Sequence, residues 1–219
     1  MTTFKIDLCH PIDDDTPTKL TNIAVYCGSN FGNTPVYYKA AKELGGVMAR
    51  RNIGLVYGGG KVGLMGTIAD SVLHHGGTAV GVIPTFLAAQ EVAHTNLTTL
   101  IETADMATRK YKMIELADGF IALAGGLGTF EELFEVLSLA QLRLHKKPIG
   151  VLNTNGFFDP IIEILQKAAK EGFMPEQNLQ LLCVAKDPDT LIDMMANYQY
   201  AYNKKWSNPK WLDEMSDDF

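Results

Sequence analysis

From residue 21 onward the chain alternates short, largely apolar runs with longer segments whose apolar residues recur at helical spacing. The short runs are Ile23–Cys27, Ile53–Tyr57, Thr78–Ile83, Thr98–Ile101, Gly119–Leu123, Pro148–Leu152 and Leu181–Val184. The helical segments are Pro35–Arg51, Gly63–His75, Ala104–Ala117, Thr129–Leu144, Phe157–Glu171 and Pro188–Asn197. A strand that is apolar along its whole length must be buried on both faces, and such strands belong to parallel sheets covered by helices on either side. Crossovers between parallel strands are right-handed, so the pattern predicts an α/β fold with a doubly wound, mostly parallel, Rossmann-like sheet. Residues 21–200 read as one nucleotide-binding domain. Residues 1–20, with Asp13-Asp14-Asp15, read as an irregular arm, and residues 201–219 as a tail holding both tryptophans.

Ligands of such sheets bind beyond the carboxyl ends of the strands, which directs attention to the turns that follow them. One run leads into Ala124-Gly125-Gly126-Leu127-Gly128-Thr129-Phe130-Glu131-Glu132 and then into an amphipathic helix. A glycine turn between a strand and a helix leaves backbone N–H groups facing a crevice, and the helix dipole adds to their attraction for an anion, most often phosphate. The same turn also serves tight packing alone in many α/β proteins. Glu131 and Glu132 lie just inside the helix, where a glutamate is favourable near the dipole whatever its function. Phosphate donors and a carboxylate pair in one turn point to chemistry on a phosphorylated small molecule.

A second turn, Gly58-Gly59-Gly60-Lys61-Val62-Gly63, matches the dinucleotide fingerprint G-x-G-x-x-G. That fingerprint also requires an acid at the end of the next strand to hold the ribose, and here the strand ends Ile83-Pro84. Neither turn contains the Gly-Lys-Ser/Thr of a P-loop. A third turn, Cys27-Gly28-Ser29-Asn30, ends the first strand, and the three together suggest a continuous crevice floor. Ser29 fits a ligand donor or a turn residue equally. Arg109 and Lys110 open the helix before the Gly125 turn, against the dipole preference for acids there. They read either as a solvated basic face or as a fork-shaped donor for phosphate or carboxylate. Tyr111, Met113 and Phe130 are candidates for a base pocket and, equally, for the core.

Other classes are excluded on charge and composition. A net charge of −6 and a pI near 5.3 leave no basic footprint for nucleic acid. Three separated cysteines, without C-x-x-C spacing, make neither a disulfide framework nor a zinc site and suit the cytoplasm. Cys27 reads as a strand residue. His74 and His75 diverge on a helix, and His10, His94 and His145 stand alone, so neither a metal set nor a catalytic triad can be read. The amino terminus lacks a signal-peptide pattern, and no apolar stretch reaches the ~20 residues of a membrane span.

The chain resembles the LONELY GUY (LOG) family of cytokinin riboside 5′-monophosphate phosphoribohydrolases, whose members are often labelled lysine decarboxylases. The family hallmark Pro-Gly-Gly-x-Gly-Thr-x-x-Glu is met by Ala124 to Glu132, and Met-His-x-Arg-Lys by Met106-Ala107-Thr108-Arg109-Lys110. Ala124 stands in place of the proline and Ala107 in place of the histidine. The resemblance implies hydrolysis of the N-glycosidic bond of a purine nucleoside 5′-monophosphate, AMP or an N6-modified form, to free base and ribose 5-phosphate. It implies Arg109 and Glu132 as the catalytic pair. For substrate and phosphate it implies Glu91, Lys110, Gly125, Gly126, Leu127, Gly128, Thr129, Phe130 and Glu131. It further implies a homodimer or an assembly of dimers, with no cofactor and no metal. No lysine sits in a recognisable pyridoxal phosphate context. The alternative is a non-catalytic carrier of a nucleotide or of a phosphorylated cofactor such as molybdenum cofactor, over which Arg109 and Glu132 favour the enzyme.

Overall fold

In the computed structural model, residues 19–88 and 93–200 are described. Nearly all of the expected amino-terminal arm, the tail and Glu91 lie outside them. The strands are β1 (Asn22–Tyr26), β2 (Gly54–Tyr57), β3 (Ala79–Pro84), β4 (Thr99–Thr103), β5 (Gly119–Ala122), β6 (Ile149–Leu152) and β7 (Leu182–Ala185). The helices are α1 (Pro35–Arg50), α2 (Gly63–His74), α3 (Thr85–Ala88), α4 (Met106–Leu116), α5 (Leu127–Gln141), α6 (Asp159–Lys170) and α7 (Pro188–Ala196). All seven expected strands form, shifted by a residue or so at their ends. The four-residue α3 and the 3-10 turns Thr154–Gly156 and Glu176–Leu181 were not expected, because they are too short to show a period.

The strands make one parallel sheet in the order β4-β3-β2-β1-β5-β6-β7. The chain winds outward from β1 through β4, then returns to the other side of β1 as β5. The strand order therefore reverses between β1 and β5, the place where an open α/β sheet leaves a crevice at its carboxyl edge.

Alternate residues of β1 serve two cores. Ile23 and Val25 pack with α1, α2 and α7 through Leu44, Met48, Ile68 and Leu191. Ala24 and Tyr26 pack on the opposite face with Met113 of α4, Leu133 and Val136 of α5, and Phe158. Both faces of β1 are buried, as its unbroken apolar run demands. The ends of β1 and β5 are also tied together. Asp118 Oδ2 accepts the N–H groups of Thr21 at 2.8 Å and Asn22 at 2.9 Å, and its own N–H donates to the Asn22 carbonyl. Asp118→Ala leaves these entry N–H groups without the carboxylate and should cost about 1–2 kcal/mol in urea unfolding; an unchanged midpoint would show that water replaces it without penalty.

Candidate active site at the strand-order reversal

The turn after β5 and the turn after β1 meet in the crevice. The Gly28 N–H donates to the Ala124 carbonyl at 3.0 Å, and the Leu64 N–H at the start of α2 donates to the Gly28 carbonyl at 3.1 Å. All three glycine turns are thus joined into the floor that the sequence suggested. The contact is close enough to exclude a side chain: a Cβ on Gly125 would sit 2.1 Å from Thr129 Oγ1 and 2.9 Å from the Gly28 nitrogen. Ala124 is buried and contributes its carbonyl, an interaction that needs no proline.

Helix α5 begins at Leu127, two residues earlier than expected, with Gly126 as an N-cap that has no side-chain cap. The bond from the Phe130 N–H to the Gly126 carbonyl is 3.1 Å. The N–H groups of Leu127, Gly128 and Thr129 come before it, in the part of a helix that lacks intrahelical acceptors. Space above Gly126 and Gly128 is open, and Leu127 is exposed, whereas Thr129 is buried beneath the turn. The earlier start corrects the placing of Glu131 and Glu132. They lie in the second turn, beyond the short reach of the dipole, so dipole stabilisation does not account for them.

Glu132 is partly buried, and burial raises its carboxyl pKa from 4.5 to about 7, against the lowering effect of the Arg109 charge. Glu131 and Glu135 push it further up, and Lys110 pulls it down. Burial and through-space charge, with no hydrogen bond among the causes, set the state of the Glu132 carboxyl. The neighbouring Cys27 thiol is held above its usual pKa by burial and by Glu132, so it stays protonated and is no nucleophile.

Arg109 is only 6% exposed. Asp105 caps α4 by accepting the Thr108 N–H at 2.7 Å, which sets the helix so that Arg109 points under the sheet edge. Its Nε donates to the Val82 carbonyl at 3.1 Å and its Nη2 to the Gly58 carbonyl at 3.1 Å. The solvated-face reading is therefore ruled out for Arg109. A Cβ on Gly58 would lie 2.1 Å from Nη2, so the glycine of the fingerprint-like turn makes room for a guanidinium.

Lys110 turns instead toward α5, paired with Glu131 and, at 3.1 Å, with Glu135. Burial works to lower its pKa, and the two ion pairs outweigh that, leaving it raised. Phe130 stacks on Phe157 and Met113 is fully buried, so both belong to the core; Tyr111 and Ala107 are exposed. The absent hallmark histidine thus falls at an exposed position in the first turn of α4. A cavity of about 440 Å³ lies elsewhere, between α1 and α2, and its lining includes none of Arg109, Lys110 and Glu132. Among the described residues no group of three or more His, Cys, Asp or Glu is placed to hold a metal ion. No described helix is long and apolar enough to cross a membrane.

The ion pairs make two roles for Lys110 separable. Lys110→Met frees the charges of Glu131 and Glu135 to act on Glu132, and should move the acid limb of any Glu132-dependent rate to higher pH. A raised KM for a phosphorylated substrate with an unmoved pH profile would instead assign Lys110 to the phosphate.

The family described as "Possible lysine decarboxylase" matches residues 65–195. Cytokinin riboside 5′-monophosphate phosphoribohydrolase LOG2 of Arabidopsis thaliana is 39% identical over 206 residues, covering 94% of this chain and 96% of that protein. The phosphoribohydrolase LOG of Oryza sativa subsp. japonica is 40% identical over 202 residues, covering 92% and 82%. Among solved structures, a molybdenum cofactor carrier protein from Chlamydomonas reinhardtii superposes with a TM-score of 0.62 at 22% identity, over 82% of this chain and 98% of that one, a likeness of fold. With the hallmark turn, the buried arginine and the half-buried glutamate in one crevice, and with identity of this extent to the plant proteins, the chain belongs to the LOG family.

Proposed function

We propose that the protein hydrolyses the N-glycosidic bond of a purine nucleoside 5′-monophosphate of the cytokinin riboside type, releasing free base and ribose 5-phosphate. The observation that carries this reading is Glu132, a partly dehydrated carboxyl beside a buried arginine and one turn from an uncapped helix start. The 5′-phosphate is received by the N–H groups of the Gly125–Thr129 turn, and that remote binding positions the sugar. Cleavage builds positive charge on the ribose. Ionised Glu132 stabilises that charge or takes a proton from the attacking water; the water oxygen bonds to the anomeric carbon as the base departs with the bond's electron pair and a proton. Arg109 orients Glu132 and the substrate. Lys110, Phe130 and Glu131 support the α4–α5 side of the site; Glu91, outside the described residues, is assigned to the substrate on the family resemblance alone.

We also infer a homodimer or an assembly of dimers. Leu127, at 86% exposed, and the exposed Met106 open α5 and α4, Tyr111 lies exposed one turn into α4, and these apolar side chains favour a covering partner. The experiment is chromatographic: purified protein is incubated with AMP or isopentenyladenosine monophosphate, and base and ribose 5-phosphate are measured. Base release supports hydrolysis, and the ratio of rates ranks the substrates. Nucleotide binding without release would favour a carrier, the activity named for structures that share this fold.

A further inference from the structure

His94 is fully buried at 1% exposure, beyond the strand β3 and remote in sequence from both catalytic candidates. Its backbone N–H donates to the Gly59 carbonyl at 2.9 Å, and the preceding Ala93 bridges to Gly60. Its ring is held at both nitrogens. The Asn96 N–H donates to Nδ1 at 3.2 Å, which requires a lone pair there and places the ring proton on Nε2. Nε2–H then donates to Asp70 Oδ1 of α2 at 2.9 Å. One side of the Gly58–Gly60 turn is thus clasped by His94, and the other side supplies the Gly58 carbonyl to Arg109 Nη2 at 3.1 Å. A buried histidine with both nitrogens fixed is a rigid strut. The tie to Asp70 links that strut to the helix that leaves the same turn.

We propose that His94 and Asp70 are a positioning pair for Arg109, acting through the Gly58–Gly60 turn. Among the described residues, two of the three hydrogen bonds of the guanidinium run to backbone carbonyls, Val82 and Gly58, and the third is a weak one from Nη1 to Met106 Sδ at 3.7 Å. Arginine held by carbonyls is only as well placed as the backbone that carries them. Val82 is held within the sheet by the β3–β4 ladder, whereas Gly58 lies beyond the end of β2 in a turn of three glycines, whose placement calls for an external brace. A misplacement of ~1 Å at a reacting centre costs about 100-fold in rate, so the brace matters for chemistry while contributing no atom to it.

The test combines kinetics with a measurement that needs no turnover. The kinetic part rests on the phosphoribohydrolase reading above; the spectroscopic part does not. In ¹⁵N-labelled protein the buried Arg109 Nε–H gives a side-chain signal, identified by its loss in Arg109→Lys. In His94→Ala that signal should move and exchange with solvent faster. His94→Gln, whose amide reaches toward Asp70, should restore it in part; Asp70→Ala, which removes the acceptor, should move the signal as His94→Ala does, whereas Asp70→Asn, which keeps an acceptor oxygen, should leave it near its original position, and an unmoved signal in Asp70→Ala would strike Asp70 from the pair. In kinetics His94→Ala should lower kcat about 10–100-fold with a smaller change in KM, and should cause no further loss in an Arg109→Ala background. An unmoved arginine signal in folded His94→Ala overturns the proposal, as does a loss that multiplies fully with that of Arg109→Ala. Absence of base release by the unmodified protein would sink the hydrolase reading alone, and the arginine signal would still decide whether His94 and Asp70 hold Arg109 in place.

Discussion

Glu132→Gln should reduce base release about 10²–10⁴-fold while nucleotide binding persists, and should make the protein more stable at pH 8. Both effects come from one cause. The folded protein holds the Glu132 carboxyl at about 7, against 4.5 for an unperturbed glutamate, chiefly because burial penalises the charge. Folding therefore favours the protonated form. The associated stability is fully present below pH 4.5 and is lost as pH rises through about 7. At pH 8 the ionised carboxylate costs about 3 kcal/mol that a neutral glutamine does not, enough to raise Tm by about 5 °C or more. Near pH 4, below the unfolded pKa, the two proteins should melt together. The rate of the unmodified protein should climb with pH through about 7 and then level, since the ionised carboxylate is the active form. A rate that falls through the same range would make Glu132 a proton donor instead. Equal melting temperatures at pH 8 would show that the carboxyl is not held in a dehydrated site.

Gly58→Ala should impair catalysis nearly as severely as loss of Arg109 itself, although residue 58 carries no functional group. The backbone at Gly58 needs no positive φ, so alanine introduces no conformational strain there. Its methyl would, however, lie 2.1 Å from Arg109 Nη2 and 3.3 Å from Met65 Sδ. The guanidinium is the end of a flexible side chain and gives way first, surrendering its bond to the Gly58 carbonyl. Two consequences follow, measurable in one pH–rate series. The rate should drop about 100-fold through misplacement. The pH at half-maximal rate should also rise, because Arg109 is the strongest influence lowering the Glu132 pKa. A drop in rate with an unmoved midpoint would mean that the methyl disturbs the turn and not the arginine.

Gly58 also marks a limit of what local sequence can convey. Gly58, Gly60 and Gly63 satisfy a dinucleotide pattern, and only the missing acid after β3 argues against that reading. What fills the space above Gly58 is an arginine 51 positions away, brought there by the return of the chain to β5 and by the Asp105 cap of α4. Likewise Lys110, adjacent to Arg109 and of like charge, points to α5 and its carboxylates; neighbours on a helix diverge by about 100°, and which one meets the crevice depends on how α4 lies on the sheet. His94 gives no signal in the sequence, because its partners are a turn 35 residues earlier and a helix residue 24 positions away.

The order of strands and helices, and the burial of the central strands on both faces, were determined by the sequence itself, whereas the edge strand β4, with its threonines and Glu102, stays largely exposed. Unbroken apolar runs such as Ile23–Cys27 and Gly119–Leu123 have no stable place except inside two helical layers, and right-handed crossovers leave few topologies. The glycine turn at Gly125 and the glutamate at 132 were legible for the same local reason: a strand end, a turn and a helix start are encoded within nine residues. Only the tertiary structure decided what Glu132 is worth chemically. Its pKa is set by burial and by the charges of Arg109, Glu131, Lys110 and Glu135, and these act through space, not along the chain.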